Sequence, residues 1–186
     1  MKIAVVGGIG SGKSEVMKKV ASMGAATLSA DEINASLLTS PDYVASLKSL
    51  FPTAVKDGVV DKHALAEIVF VDETSRKALN ALAHPLILKK IREDSRGPLV
   101  VEVPLILESG ARELFDVVVF VKTPLEKRIN MLQTSRGMAR EAVLARINAQ
   151  ADESAYFTIA DYTISNDSNL EDLYAKTQDL FEFLLK

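Results

Sequence analysis

A glycine-rich segment that follows the first apolar run constrains the fold of this chain more than any other feature. Residues 3–6 are apolar and mostly β-branched, which is typical of a strand buried on both faces, and they lead directly into GGIGSGKS at 7–14. This segment fits the pattern G-x-x-x-x-G-K-[ST], in which glycines let the backbone wrap around phosphate oxygens. The helix that follows adds the positive end of its dipole. We therefore predict a strand, a phosphate-binding loop and a helix over 13–23.

The side chains of this loop have separate expected roles. Lys13 is expected to contact the β- and γ-phosphates of a bound nucleotide, and the Ser14 hydroxyl is expected to coordinate Mg²⁺. A glycine-rich turn without a ligand is the alternative, although the strand before it and the helix after it favour phosphate binding. The other nucleotide-binding residues predicted here are Gly8, Gly10, Ser11, Gly12 and Glu15.

Four more segments have the pattern of strands, and helical patterns separate them. Strands that alternate with helices predict a parallel sheet with right-handed crossovers, hence an α/β fold. No convincing strand occurs within 41–90, so that region is predicted to be an all-helical insertion. Ser168 and Glu171 predict a capping box for the last helix. The four predicted strands are 25–28, 99–103, 117–121 and 161–164.

Composition limits the classes of function. The chain has no cysteine, which excludes thiol nucleophiles and Cys-ligated metals, and its net charge of −3 provides no global attraction for nucleic acid. The longest apolar stretch, 99–107, contains Glu102 and is far shorter than the roughly 20 residues that span a bilayer. The amino terminus has no apolar signal segment. We expect a soluble cytoplasmic protein that binds neither nucleic acid nor membrane.

A phosphate-binding loop by itself leaves the reaction open. Phosphotransferases, GTPase-type switches and ATPase modules all use one. Residues 120–123 lack a guanine-selecting N-K-x-D pattern, and 100–103 match a Walker-B strand only loosely. A small kinase fits this length best.

Two further features suit a kinase, and each has a structural alternative. Asp31 follows the second predicted strand, where its carboxylate either accepts the proton of an attacking hydroxyl or caps the next helix. Basic residues late in the chain either form a lid over the nucleotide or belong to solvated helix faces. These basic residues are Lys122, Lys127, Arg128, Arg136, Arg140 and Arg146.

The order of several motifs resembles the dephospho-coenzyme A kinase family along nearly the whole chain. The motifs after the loop are SADEI at 29–33, DGVVDK at 57–62, VF at 69–70, HP at 84–85, VEVPLILE at 101–108, RINAQ at 146–150 and ADYTISN at 160–166. The resemblance implies a P-loop NTPase fold that transfers the γ-phosphoryl of ATP to the 3′-hydroxyl of dephospho-coenzyme A. It also implies a single domain, with its core at 1–34, 97–123 and 158–186, a helical acceptor-binding insertion at 35–96 and a helical lid at 124–157.

The resemblance also implies which residues form the site. Asp31 is implied as the catalytic carboxylate, acting with Lys13 and with Arg128 from the lid. Arg136 and Asn166 are implied in the nucleotide site. The implied acceptor-binding residues are Asp31, His84, Pro104, Leu105 and Glu108.

The chain departs from the family pattern at three places. Ser29 replaces the first residue of an Asp-x-Asp pair, and Ala35 replaces an arginine. The family's Arg-x-x-x-Arg motif is irregular in this chain. Arg128 and Arg136 lie eight positions apart, and the residue four positions before Arg136, where the motif has its first arginine, is Leu132. Two alternatives therefore stay open: a kinase of another nucleoside or nucleotide, and a nucleotide-binding module that has lost kinase activity.

Overall fold

A computed structural model describes residues 1–104, 106–150 and 152–186, with the side chain of Glu108 outside the description. The chain divides into two compact units, the first made of Met1–Ser29 and Ser95–Lys186 and the second of Ala30–Asp94. The elements, in chain order, are β1 (Lys2–Val6), α1 (Lys13–Ser22), β2 (Ala26–Ser29), α2 (Ala30–Leu37), α3 (Pro41–Leu50), β3 (Val55–Lys56), β4 (Val59–Val60), α4 (Lys62–Val71), α5 (Glu73–Glu93), β5 (Leu99–Glu102), α6 (Ile106–Ser109), β6 (Val117–Lys122), α7 (Leu125–Arg136), α8 (Arg140–Asn148), α9 (Glu153–Ile159), β7 (Tyr162–Ser165) and α10 (Leu170–Leu184).

Five parallel strands form the sheet of the first unit, in the order β2-β5-β1-β6-β7. Ile3 of β1 lies opposite Val100 of β5 on one side and Val117 of β6 on the other. Because all these strands run in one direction, their carboxyl ends meet at one edge. In this order β2 and β5 lie on one side of β1, and β6 and β7 lie on the other. The loop after β1 therefore lies at a topological switch point, where successive connections go to opposite sides of the sheet. The five predicted strands and their parallel arrangement are confirmed.

The helices α1 and α10 pack against one another and cover apolar residues of the sheet. β-branched strand residues and apolar helix residues at three- and four-residue spacing make this contact possible. The main buried cluster of this unit consists of Ile3, Val5, Val16, Val20, Val100, Val119, Val121, Ile164, Leu173, Phe181 and Leu184.

A smaller apolar cluster lies under α7 and α8. Ile129 and Leu132 on α7 are buried together with Val143 on α8, and Ile9 of the phosphate-binding loop packs against them. The same cluster explains the irregular spacing of the lid arginines. Leu132, at the position reached by counting back from Arg136, is only 2% exposed and is therefore a core residue.

The second unit is helical except for one hairpin, so the prediction of an all-helical region at 41–90 was wrong. β3 and β4 pair antiparallel, with Val55 opposite Val60. Asp57 and Gly58 form the two-residue turn between them, with φ of 51° and 76°. An Asp-Gly pair favours this turn because both positions require positive φ. The strands are two residues each, too short to show a period in the sequence.

The predicted start of the last helix differs from the structure. The amino-terminal cap of α10 is Asn169, whose side chain accepts the N–H of Asp172 at 2.9 Å, so the predicted capping box at Ser168 and Glu171 was wrong by one residue. α5 is one helix that continues through Pro85 to Glu93. Gly24 has φ of 90° just after the end of α1, which is the backbone conformation typical of a helix-terminating glycine.

The second unit has an apolar core whose buried residues all belong to that unit. It combines residues of α2, α3, α4 and α5 with both hairpin strands: Leu37, Tyr43, Val44, Leu47, Phe51, Ala54, Val55, Val60, Leu65 and Ala83. Among the described helices of both units, none combines the length and the apolar character needed to cross a membrane.

Candidate active site

The loop after β1 has the backbone that its glycines predict. Gly7, Gly10 and Gly12 have φ of 148°, 74° and 92°, a region that residues with a side chain rarely adopt. A Cβ on Gly10 would lie 2.9 Å from Cγ of Leu132 and 3.0 Å from the carbonyl oxygen of Arg128. The loop therefore needs glycine both for its turns and for its close approach to α7.

Lys13 begins α1 and is only 7% exposed. Its Nζ donates to the carbonyl oxygens of Gly7 at 2.9 Å and Gly8 at 3.1 Å, which holds the ammonium group against the loop. The amino-terminal end of α1 places the positive end of a helix dipole at the same point. Both charges favour an anion bound in the loop.

Ser11, in the middle of the loop, has satisfied backbone groups and an unsatisfied side-chain hydroxyl. Its carbonyl oxygen accepts the Thr123 hydroxyl at 2.7 Å and the side-chain amide of Asn166 at 2.9 Å. Its own hydroxyl is buried and makes no hydrogen bond within the described part of the chain. A buried hydroxyl without a partner is costly, and a phosphate oxygen would satisfy it. The loop therefore fits a nucleotide phosphate.

Asn166 connects this loop to α7. It is 3% exposed and follows β7, and its amide oxygen accepts Nζ of Lys127 at 2.6 Å. Lys127 also donates to the carbonyl oxygen of Ser168. The structure thus brings Asn166 to the loop, while its predicted contact with the nucleotide stays a prediction. Thr123, whose hydroxyl bonds the loop, was not predicted as a site residue. Its position directly after β6 is the one feature of the sequence that could have indicated this role.

Arg128 and Gln150 both bond the backbone of Ile9 in the loop. Nε of Arg128 donates to the Ile9 carbonyl oxygen at 2.9 Å, and the Ile9 N–H donates to Oε1 of Gln150 at 2.7 Å. The same Gln150 oxygen accepts Nη2 of Arg128 at 3.4 Å. Burial lowers the pKa of the Arg128 guanidinium from its usual value. Sequence reasoning missed Gln150, although it closes the motif at 146–150.

A cavity of about 570 Å³ opens beside this contact. Gly8, Ser11 and Arg128 line one part of it, and side chains from β6, α8 and α9 line the rest. Nη1 of Arg128 makes no hydrogen bond to the described residues, so the guanidinium still has donors for a ligand. The cavity thus combines loop backbone, a buried hydroxyl and a cation.

Ser14 is the residue of this loop that could ligate a metal. It lies exposed in the first turn of α1, and its hydroxyl makes no hydrogen bond to a described residue. Within the described residues, no three His, Asp or Glu side chains form a metal-binding cluster. Mg²⁺ keeps several waters and needs only one or two protein oxygens when phosphates supply the others. One free hydroxyl beside a phosphate-binding loop fits that requirement.

Glu15 faces α10. Its carboxylate accepts Nζ of Lys18 at 2.7 Å and the hydroxyl of Tyr174 at 2.7 Å. The hydrogen bond from Lys18, followed by that from Tyr174, holds the pKa of Glu15 below its usual value. The predicted role of Glu15 in nucleotide binding stays a prediction.

The remaining basic residues of the predicted lid differ in their surroundings. Arg136 ends α7 and is exposed. Arg140 forms two hydrogen bonds with the Glu126 carboxylate, at 2.9 and 2.7 Å. Nζ of Lys122 lies 5.1 Å from the centre of the Phe157 ring. Arg146 is exposed on α8. Of the predicted basic group, Arg128 contacts the loop, and Lys127 is connected to it through Asn166.

Asp31 belongs to the second unit. It is the second residue of α2 and is exposed. A residue inside the first turn is not the helix cap, because the cap precedes the first helical residue. This position removes the capping alternative and leaves the carboxylate available, so its catalytic role stays a prediction. Two residues that differ from the family pattern lie near Asp31 in the chain: Ser29 is the last residue of β2, and Ala35 is exposed on α2.

The predicted acceptor residues are distributed over both units. His84 is half-buried on α5, next to Ala83 of the second unit's core. Pro104 follows β5 in the first unit and is partly buried. Leu105 lies outside the described residues, as does the side chain of Glu108. Their binding roles stay predictions.

The fold and the loop together define a class of enzyme. Over 99% of this chain and 92% of the other, the structure matches a shikimate kinase from Acinetobacter baumannii with a TM-score of 0.61 at 17% identity, a likeness that shows the fold alone. A phosphate-binding loop at the switch point of such a parallel sheet is the arrangement of the P-loop kinases. The predicted P-loop fold is confirmed.

Sequence comparison identifies the particular family. The model of the dephospho-CoA kinase family matches residues 1–172, and the chain belongs to this family of phosphotransferases. A dephospho-CoA kinase from Thermobifida fusca is 35% identical in an alignment of 192 positions that covers 99% of this chain and 96% of the relative. The resemblance predicted from the order of the motifs is confirmed.

Solved structures agree with this assignment. A protein from Thermus thermophilus matches with a TM-score of 0.84 and 34% identity, over 100% of this chain and 98% of the other. A dephospho-CoA kinase from Campylobacter jejuni matches with a TM-score of 0.74 and 27% identity, again over 100% of this chain and 98% of the other.

Proposed function

We propose that this chain transfers the γ-phosphoryl group of ATP to the 3′-hydroxyl of the ribose of dephospho-coenzyme A, which gives coenzyme A and ADP. The observation that carries the proposal is the loop itself. In a chain of this family, Lys13 lies at the head of α1, 2.9 Å from a loop carbonyl, and Ser11 leaves a buried hydroxyl for a phosphate oxygen. These features supply a place for the phosphates of ATP.

Lys13 would neutralise the migrating phosphoryl group. Its ammonium already sits on the carbonyl oxygens of Gly7 and Gly8. Phosphate oxygens carry a full negative charge and accept stronger hydrogen bonds than carbonyl oxygens do. Nucleotide binding would therefore draw Nζ toward the β- and γ-phosphates while the peptide N–H groups of the loop hold the α- and β-phosphates.

Ser14 would hold Mg²⁺ through its free hydroxyl. When bound there with ATP, the metal neutralises charge on the β- and γ-phosphates. The remaining ligands would come from phosphates and water, which suits a site where the described residues include no group of three metal-binding side chains.

Asp31 would serve as the general base. Its carboxylate takes the proton of the 3′-hydroxyl as that oxygen forms a bond to the γ-phosphorus. The bond from the γ-phosphorus to the β,γ-bridging oxygen breaks, and its electron pair stays on ADP. Catalysis then consists largely of positioning and electrostatic stabilisation, the usual requirement of phosphoryl transfer.

The lid and the acceptor residues would complete the site. Arg128, which already contacts the loop, has unused donors for the phosphoryl oxygens. Arg136 and Asn166 are proposed to contact the nucleotide. His84, Pro104, Leu105 and Glu108 are proposed to bind dephospho-coenzyme A.

The proposal is tested by measuring ADP release in a coupled assay with ATP and Mg²⁺. The acceptors compared are dephospho-coenzyme A, adenosine and AMP. We expect turnover that depends on dephospho-coenzyme A, with much slower release for the other two. Turnover with adenosine or AMP alone would assign a different acceptor, and ATP binding without any acceptor-dependent release would identify a binding module.

A matched pair of lysine variants tests the loop. Both Lys13 and Lys18 lie on α1, but Lys18 pairs with Glu15 at the surface. We expect Lys13→Ala to lower kcat by about 100-fold or more, as expected when a cation stabilising transferred charge is lost. Lys18→Ala should leave kcat nearly unchanged. Equal activity of the two variants would contradict the role of Lys13.

A further inference from the structure

Among the described contacts, Ile9 is the only residue of the predicted phosphate-binding segment whose backbone N–H and C=O both bond side chains of the predicted lid at 124–157. Its N–H donates to Gln150 at 2.7 Å and its carbonyl oxygen accepts Arg128 at 2.9 Å. Gln150 lies 141 residues beyond Ile9 in the chain, and the contact is partly buried. A partly buried hydrogen bond between residues so far apart in the chain restrains the position of the Ile9 N–H relative to Gln150. A hydrogen bond to a solvent-exposed glutamine would restrain it less.

Gln150 contacts two parts of the site through one atom. The oxygen that accepts the Ile9 N–H also accepts Nη2 of Arg128 at 3.4 Å. Arg128 is thereby held at two of its nitrogens, and its Nη1 remains available at the cavity that Gly8 and Ser11 line. The planar guanidinium has a fixed fork of donors, so two fixed nitrogens also fix the direction of the third.

Loss of the two hydrogen bonds to Gln150 Oε1 would change the positions of both the phosphate-binding loop and the Arg128 guanidinium. Without the glutamine oxygen, the Ile9 N–H loses its partner, and Arg128 keeps one hydrogen bond about which it can rotate. Phosphoryl transfer is sensitive to errors of this kind, because a displacement near 1 Å can cost about 100-fold in rate.

We propose that Gln150 is a positioning residue, whose side-chain oxygen fixes the Ile9 peptide of the phosphate-binding loop and the Arg128 guanidinium for phosphoryl transfer. The inference rests on the proposed function for its kinetic readout. Nucleotide affinity provides a second readout that does not depend on the acceptor.

Two substitutions at position 150 separate the oxygen acceptor from the shape of the side chain. Gln150→Met keeps the length and volume but removes the oxygen, whereas Gln150→Glu keeps an oxygen that can accept both bonds. Gln133→Met is the matched control on α7, because the Gln133 side chain makes no hydrogen bond within the described part of the chain. Thermal unfolding of each variant reports whether the fold is retained.

The measurements are the dissociation constant of a non-hydrolysable ATP analogue with Mg²⁺, and kcat and KM with dephospho-coenzyme A. Without this hydrogen bond the free loop is no longer held in place, so nucleotide binding must order it. The free energy of one partly buried hydrogen bond corresponds to about 10-fold in a dissociation constant. We therefore expect Gln150→Met to raise the dissociation constant by about 10-fold and to lower kcat as well, with Gln150→Glu intermediate and Gln133→Met unchanged.

Two results would overturn the inference. One is a Gln150→Met variant whose nucleotide affinity and kcat stay within twofold of wild type. The other is an equal loss in the Met and Glu variants, which would assign the effect to side-chain packing. If the wild-type chain does not phosphorylate dephospho-coenzyme A, the proposed function fails, and the order of the nucleotide affinities still decides the role of Gln150.

Discussion

Gly12→Ala tests how closely the phosphate-binding loop is fitted to Asn166. Gly12 has φ of 92°, and a Cβ there would lie 2.6 Å from Nδ2 of Asn166. Gly24 is the matched control, because its φ is 90° and a Cβ there meets nothing within 4 Å. An alanine in this backbone region costs about 1–2 kcal/mol at either position. Only Gly12→Ala also collides with a buried amide.

The size of the additional cost follows from the two hydrogen bonds that Asn166 makes. Its Nδ2 donates to the Ser11 carbonyl oxygen at 2.9 Å, and its Oδ1 accepts Nζ of Lys127 at 2.6 Å. Displacing the amide breaks one neutral and one charged hydrogen bond, together about 2–4 kcal/mol. The Ser11 oxygen still accepts the Thr123 hydroxyl, so no further penalty for an unsatisfied acceptor is added.

Urea unfolding followed by circular dichroism measures both costs. We expect Gly12→Ala to lower the free energy of unfolding by about 2–4 kcal/mol more than Gly24→Ala does. In an Asn166→Ala background the collision disappears, so the two glycine substitutions should then cost about the same, as expected for residues in direct contact. Equal costs in the wild-type background, or a difference that survives removal of Asn166, would refute this account of the loop.

Three other predictions concern the base, the lid core and pH. Asp31→Asn should lower kcat by about 100-fold or more while nucleotide affinity stays constant, and Glu32→Gln, its exposed neighbour, should keep normal kcat. Leu132→Arg, which introduces the first arginine of the family's Arg-x-x-x-Arg motif into a 2% exposed position, should lower the free energy of unfolding by about 3 kcal/mol or more. The hydrogen bond from Lys18 lowers the pKa of Glu15, so the stability that Glu15 adds is present above about pH 4 and lost as the pH falls further. The difference in unfolding free energy between wild type and Glu15→Gln should therefore shrink below that pH.

The sheet and the loop could be predicted from sequence because their signals are local. Strands buried on both faces have nearly continuous β-branched runs, and the loop motif ties each glycine to a backbone requirement. The hairpin of Val55–Lys56 and Val59–Val60 was missed because two-residue strands show no period. Its Asp57-Gly58 turn was the available signal.

The part of the site that could not be predicted depends on contacts between residues far apart in the chain. Thr123 and Gln150 hold the loop across 112 and 141 positions, and no local pattern records such a pair. The burial of Leu132 is similar, since only the position of α7 against Gly10 and Ile9 makes it a core residue. Family resemblance supplied the acceptor residues, whose roles stay predictions.

The identity of the phosphorylated atom tests the central claim most directly. After reaction of ATP and dephospho-coenzyme A with the wild-type chain, ³¹P and ¹H NMR of the purified product locate the new phosphate on the ribose. We predict a single new phosphomonoester at the 3′-oxygen, formed in equal amount to ADP, and an initial rate of product formation with Lys13→Ala that is about one hundredth of the wild-type rate or less. ADP without a phosphorylated acceptor, or phosphate on another hydroxyl, would contradict the account.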